Sequence, residues 1–301
     1  MSNRARQIYK PDFRFGLGGV SLGNEFNKHT DKDAEATLEA AWAVGIRYFD
    51  VAPWYGFGLS ERRFGHFLHN QKREDYLLSS KVGKLFKASK NNKHAEIYPL
   101  SDSPNDVVFD YTADGVRRSI EDSLQRLGVD SLDLAFVHDI SPDFAFFPNG
   151  WEEQYEIARK GAFPALSKMR DEGIIRAWGI GVNTALPILK VMEDADPDVC
   201  LCARQYSLVD DATAVHELFP VVRRKNVFGR HWLRAECRLH FRSPALQLRQ
   251  GKFQDSSGRD RKAGEAQRDS RPVRCRSAHR RASVLIGRRC RGGSGRGGAK
   301  R

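Results

Sequence analysis

The stretch GIRYFDVAPWYG, residues 45–56, contains the pattern on which the fold prediction depends. It begins with a glycine, continues with a short run rich in aromatic residues, and ends in a loop with proline and glycine. An amphipathic stretch, residues 31–44, precedes it; Thr30 can cap that helix, acids fill its first turn, and Gly45 ends it. The pattern predicts a helix followed at once by a strand, residues 46–49.

The same alternation recurs along residues 15–228. Six strands are predicted, at 15–17, 46–49, 77–81, 134–138, 177–182 and 199–204. Helices are predicted at 31–44, 60–68, 112–127, 163–171, 184–193 and 213–224, with a long loop ending near residue 110. Strands alternating with helices in this way predict an α/β fold with a parallel sheet.

Two parallel architectures suit this spacing, a doubly wound sheet and a TIM-type (β/α)₈ barrel. A doubly wound dinucleotide fold has G-x-G-x-x-G at the first strand-to-helix turn, and FGLGGVSLG, residues 15–23, does not carry that spacing into a helix. The barrel is therefore favoured. Its chemistry gathers at the carboxyl ends of the strands.

Four residues that complement one another chemically stand at successive strand ends. Asp50 and Tyr55 follow the second predicted strand, Lys81 ends the third, and His138 ends the fourth. An ammonium stabilises a nearby phenolate, a carboxylate keeps the lysine charged, and a histidine can polarise a substrate oxygen. Together they can protonate a carbonyl oxygen, or deprotonate an alcohol, while hydride moves at the adjacent carbon.

These residues resemble the Asp-Tyr-Lys-His tetrad of the aldo-keto reductase family. Further similar stretches follow in family order: SERRFG, GVRRSIEDSLQRLGVDSLDL, GIIRAWGIGVN and QYSL. The resemblance covers about residues 12–227 and implies a catalytic role for Asp50, Tyr55, Lys81 and His138. It also implies that Asn183 and Gln205 hold the nicotinamide carboxamide of NAD or NADP. Val51 stands where many members carry threonine.

The VHD and FGLSERRFG motifs look most like the branch of aldose and pyridoxal dehydrogenases, which includes L-fucose, D-threo-aldose and L-galactose dehydrogenases. The resemblance implies an NAD(P)-dependent oxidation of an aldose at its anomeric carbon, with a small-molecule carbonyl or alcohol as substrate. Trp54, beside Tyr55, is either a packing residue or a wall of the substrate pocket, and it is taken as a substrate-binding candidate.

Each candidate also has a purely structural interpretation. Asp50 alone could cap a strand end, Lys81 could be a solvated charge at the rim, and His138 could be a hydrogen-bonded core histidine. Asn183 could cap the next helix. Joint occurrence at consecutive strand ends favours catalysis for the tetrad, while the alternative for Asn183 stays open.

Charge divides the chain into two parts near Val227. The whole chain has 50 Lys and Arg against 38 Asp and Glu, whereas residues 229–301 hold 21 Lys and Arg against 5 Asp and Glu. We therefore predict a partial barrel in residues 1–228 and an Arg/Gly-rich tail in residues 229–301, without strands seven and eight. Two alternatives to an active enzyme follow: a catalytically dead, truncated barrel, and a polyanion-binding protein acting through the tail. Nucleic-acid binding is the less favoured of these.

Our hypothesis for the tail is a single-base frame slip near Val227. Permitted codons for residues 227–242, read one base later, encode CSVVTGSGLNAGFIS, and similar readings exist for residues 245–253 and 281–300. These peptides look like the family's seventh strand with its glycine loop, a substrate-side loop, and the closing helix and strand. On this hypothesis the tail is disordered and its charge has no functional meaning.

Composition excludes several classes of protein. The chain has no apolar run near the roughly 20 residues of a membrane-spanning helix and no apolar signal segment at its N-terminus, so we expect a cytoplasmic protein without membrane association. Its five cysteines are odd in number and fall after residue 199, which disfavours a secreted disulfide framework. No metal site is predicted.

Overall fold

The computed structural model describes residues 15–90, 96–101, 103–203, 205–206 and 211–225. The chain divides into two compact units, Met1–Phe241 and Arg242–Arg301. The second unit, and with it the predicted tail at 229–301, lies outside the described residues, and so do the strands and loops that the frame hypothesis concerns.

A parallel sheet of six strands forms the centre of the described fold. In their order across the sheet, the strands are β1 (Leu17–Gly18), β2 (Tyr48–Asp50), β3 (Leu77–Val82), β6 (Leu132–His138), β7 (Ile175–Val182) and β8 (Leu201–Cys202). Strands β4 (Lys84–Ala88) and β5 (Asn105–Phe109) pair antiparallel in a separate hairpin. The sheet is a curled, incomplete (β/α) barrel, as the sequence predicts.

Helices connect the parallel strands and cover the outer face of the sheet. They are α1 (Asp31–Ala43), α2 (Leu59–Leu68), α3 (Ala113–Leu127), α4 (Trp151–Lys160), α5 (Ala162–Asp171), α6 (Ala185–Asp194) and α7 (Phe219–Lys225). A π-helical turn, Ala214–Leu218, precedes α7. The core between sheet and helices includes Phe49, Leu78, Val137 and Ile180, all fully buried. Burial of both sheet faces is expected for parallel strands.

Two predictions for the connecting segments were wrong. The predicted loop before residue 110 contains the β4–β5 hairpin, whose strands lie far apart in sequence and so lack the tight-turn signal that marks most hairpins. Helix α4 was also not predicted. The last predicted strand, 199–204, is shortened to Leu201–Cys202.

A close approach between backbones fixes the position of β8 beside β7. A Cβ atom on Gly179 of β7 would lie 1.4 Å from the carbonyl oxygen of Val199. Only glycine allows this contact, so the chain entering β8 packs directly on the β7 backbone. Cys200 is buried there, which raises the pKa of its thiol to about 12. The other described cysteine, Cys202, is also buried.

Helix α1 begins as predicted, with Thr30 as its N-cap. The Thr30 hydroxyl accepts a hydrogen bond from the Asp33 backbone N–H, and the Asp33 carboxylate accepts one from the Thr30 N–H, at 3.2 and 3.0 Å. This reciprocal pair is a capping box. No helix in the described part of the chain is long and apolar enough to cross a membrane.

Thr30→Ala is expected to lower the free energy of unfolding by about 1 kcal/mol, because it leaves helix N–H groups without a partner. Urea denaturation followed by circular dichroism measures the change. Thr37→Ala, in the interior of the same helix, is the control and should be neutral or slightly stabilising, since alanine is the better helix former. Equal losses in both variants would contradict the capping role.

Candidate active site

The parallel register brings the predicted residues to one rim of the sheet. Asp50 is the last residue of β2 and pairs with Ser79 of β3, while Lys81 of β3 pairs with Phe136 of β6. His138 ends β6. Since all these strands run in the same direction, their carboxyl ends meet at one edge.

A buried ion pair joins Asp50 and Lys81. The Lys81 Nζ atom lies 2.7 Å from Asp50 Oδ2 and also donates to the Val51 carbonyl oxygen at 3.0 Å. Asp50 and Lys81 are 1% and 2% exposed, so water does not screen their attraction. Burial by itself lowers the pKa of Lys81, but the Asp50 carboxylate and the Tyr55 side chain outweigh it and raise that pKa above its ordinary value. Lys81 is thus a permanent ammonium at neutral pH.

Neighbouring hydroxyl groups fix the orientation of the Asp50 carboxylate. Ser79 Oγ donates to Asp50 Oδ1 at 2.6 Å, and the Tyr48 hydroxyl lies 2.7 Å from Ser79 Oγ. All three side chains are buried. The two carboxylate oxygens therefore face different partners, Ser79 on one side and Lys81 on the other, which leaves the ion pair little freedom to rearrange.

Tyr55 lies against this pair in the turn region between β2 and α2. Its ring centroid is 4.6 Å from Lys81 Nζ, and Lys81 and Tyr55 hydrogen-bond through their side chains. Its ring also meets the His138 ring edge-on, with 5.8 Å between centroids and 83° between planes. Asp50, Tyr55, Lys81 and His138 are therefore brought together as predicted.

His138 is buried at the end of β6. Burial, followed by the charges of Lys84 and Lys81, lowers the pKa of His138 well below its ordinary value. The imidazole is therefore neutral at physiological pH, and it can donate one proton through one nitrogen only. The Tyr111 hydroxyl donates to the His138 carbonyl oxygen at 2.7 Å and holds the strand end in place.

A second buried lysine, Lys84, reaches the same site and was not found by sequence reasoning. It forms an ion pair with Asp139, the residue after His138, and its Nζ lies 4.2 Å from the ring centroids of both Trp54 and Phe144. Burial lowers the pKa of Lys84 to about 8, although Asp139 opposes the shift. The sequence signal that could have identified Lys84 is the motif K-V-G-K, residues 81–84, in which a glycine separates the second lysine from β3.

Gly83 makes the turn that allows both lysines to face the site. Its φ angle is +100°, which side-chain-bearing residues rarely adopt, and a Cβ atom there would lie 2.0 Å from the Tyr111 ring. The chain can therefore leave β3 after Val82 and begin β4 at Lys84 without moving away from the rim.

Trp54 packs inside a group of aromatic side chains. Its ring contacts five others at centroid distances of 5.7–6.0 Å, those of Phe57, Tyr98, Phe109, Phe144 and Phe146. Much of the Trp54 side chain therefore serves as a packing residue, which was one of its two interpretations. Its substrate contact remains a prediction, supported by its position next to Tyr55 and Lys84.

The two amide candidates lie at the same rim on neighbouring strands. Asn183 directly follows β7, and Gln205 lies three residues after β8; both are half-buried. Asn183 Nδ2 donates to Asp143 Oδ2 at 2.8 Å. Thr184, rather than Asn183, is the N-cap of α6, so the helix-cap alternative for Asn183 is not what the structure shows.

Metal binding has no support in the part of the chain that the structure describes, where no group of three His, Cys, Asp or Glu side chains could hold an ion.

We compared the sequence with protein families and with known proteins. The model of the aldo/keto reductase family matches residues 14–228. The chain belongs to this family. The D-threo-aldose 1-dehydrogenase of a Pseudomonas species is 37% identical over 207 residues, 67% of this chain and 60% of that protein. The pyridoxal 4-dehydrogenase of Microbacterium luteolum is 37% identical over 229 residues, 70% of this chain and 64% of that protein.

A plant relative is more distant. The L-galactose dehydrogenase of Arabidopsis thaliana is 32% identical over 220 residues, 70% of this chain and 58% of that protein. The chain of this aldo-keto reductase therefore spans less than two thirds of the length of these relatives.

Solved structures show the same fold. The holo form of an aldo-keto reductase from Bacillus halodurans matches with a TM-score of 0.54 at 24% identity, covering 71% of this chain and 59% of that one. A glycerol dehydrogenase from Gluconobacter oxydans matches with a TM-score of 0.51 at 24% identity, covering 71% and 57%. The partial coverage agrees with a sheet that is an incomplete barrel.

Proposed function

We propose that this aldo-keto reductase catalyses an NAD(P)-dependent oxidoreduction of a carbonyl or alcohol group, and that it oxidises an aldose at the anomeric carbon. The observation that carries the proposal is the buried arrangement of Asp50, Lys81 and Tyr55, with His138 edge-on to the tyrosine ring. A permanent ammonium held against a phenol is suited to moving a proton at a substrate oxygen.

Each residue has a separate task in this reaction. Tyr55, as the phenolate, accepts the proton of the substrate hydroxyl as hydride leaves the carbon that bears this hydroxyl, and Lys81 stabilises the phenolate until that transfer. Asp50 fixes Lys81 through the 2.7 Å contact. His138, neutral and buried, donates a hydrogen bond to the substrate oxygen and orients it. In the reverse direction Tyr55 gives its proton to the carbonyl oxygen.

The cofactor is NAD or NADP, and it supplies the hydride chemistry when bound. Asn183 and Gln205 would hold its carboxamide, since an amide offers both the donor and the acceptor that a carboxamide needs. Asn183 keeps a carbonyl oxygen and a second N–H for this purpose beside its bond to Asp143. Asp143 thereby orients the Asn183 amide.

Asn183→Ala is expected to weaken cofactor binding about tenfold, the effect of about 1.4 kcal/mol from lost hydrogen bonds. Fluorescence titration with each nucleotide measures the dissociation constant. Asn70→Ala, in an exposed position just beyond α2, is the control and should leave it unchanged. Unchanged binding in the Asn183 variant would remove this residue from the cofactor site.

For the substrate, we propose a small-molecule carbonyl or alcohol that is either an aldose or a pyridoxal-like compound. Two relatives at 37% identity are named for these two substrate classes. Trp54 is 7% exposed beside Tyr55, and we propose that this exposed part packs on a sugar ring or a pyridine ring of the substrate. Oxidation of an aldose gives a lactone, one hydride on the nicotinamide and one proton released.

The test uses the 301-residue protein with NAD⁺ or NADP⁺ and a panel of L-fucose, L-galactose, D-arabinose and pyridoxal. Absorbance at the wavelength of reduced nicotinamide measures turnover, and mass spectrometry identifies the lactone. We expect turnover with at least one substrate of the panel. A protein that binds nucleotide but reduces none with any substrate would contradict the proposed reaction and favour the catalytically dead barrel.

A further inference from the structure

Lys84 is a buried ammonium that has no role in the proposed proton transfer. Its side chain is enclosed by the Trp54 and Phe144 rings and paired with Asp139, so no ligand can reach it directly. A buried charge costs free energy unless it is well paired, and such groups concentrate at functional sites. Its neighbours therefore indicate what it does.

Two opposite charges face the two nitrogens of the His138 ring. Lys84 Nζ lies 3.5 Å from His138 Nδ1, and Asp139 Oδ2 lies 3.4 Å from His138 Nε2. Lys84 and Asp139 are themselves in contact, whereas the two ring nitrogens point in diverging directions, so the pair lies obliquely to the ring and acts on it through charge. The positive charge beside Nδ1 favours the unprotonated nitrogen there, and the negative charge beside Nε2 favours the hydrogen on that nitrogen.

The tautomer matters because the His138 ring is neutral. A neutral imidazole has one N–H, and its position depends on the hydrogen bond that the other nitrogen makes. The 3.4 Å separation from Asp139 is longer than an ordinary N–H···O hydrogen bond, so the Nε2 hydrogen, which is fixed in the ring plane, remains available to a substrate oxygen. With the hydrogen on Nδ1 instead, Nε2 would have no hydrogen to offer the substrate.

We propose that Lys84 is a positioning residue that fixes His138 in the tautomer with its hydrogen on Nε2. The part of this statement that concerns the substrate rests on the proposed function, whereas the tautomer itself does not. Asp139 has a secondary part, since it holds Lys84 in place and favours a hydrogen on the same nitrogen. Asp139, the residue after β6, and Lys84, the first residue of β4, both lie beside the His138 ring.

The experiment is ¹⁵N NMR of histidine-labelled full-length protein without substrate. The chain has nine histidines, and the His138→Gln variant assigns the signals of His138. In the wild type we expect a pyridine-type shift for Nδ1 and a pyrrole-type shift for Nε2. Lys84→Met should move both shifts toward averaged values, whereas Lys84→Arg, which again presents only N–H donors, should restore the wild-type pair.

Several results would overturn the proposal. A pyrrole-type Nδ1 in the wild type would do so without any variant, and so would unchanged shifts in Lys84→Met. If Asp139→Asn changes the tautomer while Lys84→Met does not, Asp139 sets it instead. Should Lys84→Met fail to fold, Lys84→Gln takes its place, and retention of the full wild-type tautomer there contradicts the role of the ammonium.

Kinetics give a second readout that separates positioning from packing. Lys84→Met should lower kcat about 10- to 100-fold with little change in cofactor affinity, and Lys84→Arg should recover most of the loss. Lys190→Met, on α6 and paired with Glu156 and Asp194 away from the site, is the matched control and should leave kcat unchanged. If no variant has turnover but the NMR result holds, the tautomer assignment stands and the proposed function fails.

Discussion

Tyr55→Phe is expected to lower kcat about 10³-fold, within the range that general acid–base groups contribute. The variant keeps the ring that packs against Lys81 and His138 and removes only the hydroxyl that moves the proton. Cofactor affinity should change less than about twofold, because no cofactor contact is assigned to this hydroxyl. A twofold change in the dissociation constant corresponds to ~0.4 kcal/mol. Steady-state kinetics and nucleotide titration on the same preparation measure both quantities.

Tyr76→Phe provides the control for this prediction. Tyr76 is also buried, but its ring packs with Trp42 and Phe49 between sheet and helices, away from the strand-end rim. Its variant should keep wild-type kcat. Activity retained in Tyr55→Phe, or an equal loss in both variants, would refute the assignment of Tyr55 as the proton-transferring residue.

The tetrad could be predicted from sequence because each member lies in or just after a central strand. Asp50, Lys81 and His138 need only the correct strand ends and a parallel sheet to meet, and Tyr55 follows Asp50 by a short loop. Errors of one or two residues in strand bounds do not move such residues to another edge. Central strands of a parallel sheet also give a strong signal, as continuous apolar runs.

Lys84 could not be assigned in the same way. Its place depends on the positive φ of Gly83 and on the β4–β5 hairpin, which lies within a segment predicted to be a loop. The strands of that hairpin are short, partly exposed and separated by a long connection, so neither apolar alternation nor a tight turn marks them. Its partner Asp139 also has a positive φ of 56°, a backbone state that sequence pattern does not reveal.

The second large effect concerns the buried ion pair. Asp50→Asn is expected to lower the free energy of unfolding by about 3–5 kcal/mol, because it leaves the Lys81 ammonium buried without its counter-charge. Activity should fall in parallel, since Lys81 loses the contact that fixes its position against Tyr55. Urea denaturation followed by circular dichroism and by tryptophan fluorescence measures the stability.

The pH dependence of stability should change its sign in this variant. In the wild type the pKa of Lys81 is raised, so the stabilisation is fully present below the ordinary lysine pKa of about 10.4 and is lost only as pH rises through the folded-state value. Without Asp50, burial becomes the dominant influence and lowers the pKa of Lys81. The unfolded chain then binds more protons than the folded one, so stability rises with pH from the lowered folded-state pKa of Lys81 up to the ordinary lysine pKa of about 10.4.

A double-variant cycle separates the ion pair from other consequences of the substitution. Lys81→Met added to Asp50→Asn removes the uncompensated charge, so the double variant should be more stable than Asp50→Asn alone and should lose the rise of stability with pH. The exposed pair Arg117–Glu172 has a similar 2.9 Å separation, and Glu172→Gln should cost less than about 1 kcal/mol because water already screens it. If Asp50→Asn costs no more than Glu172→Gln, the charges at the rim are not desolvated. In that case water would screen the Lys81 charge, and Lys81 would stabilise the Tyr55 phenolate less than the proposed proton transfer requires.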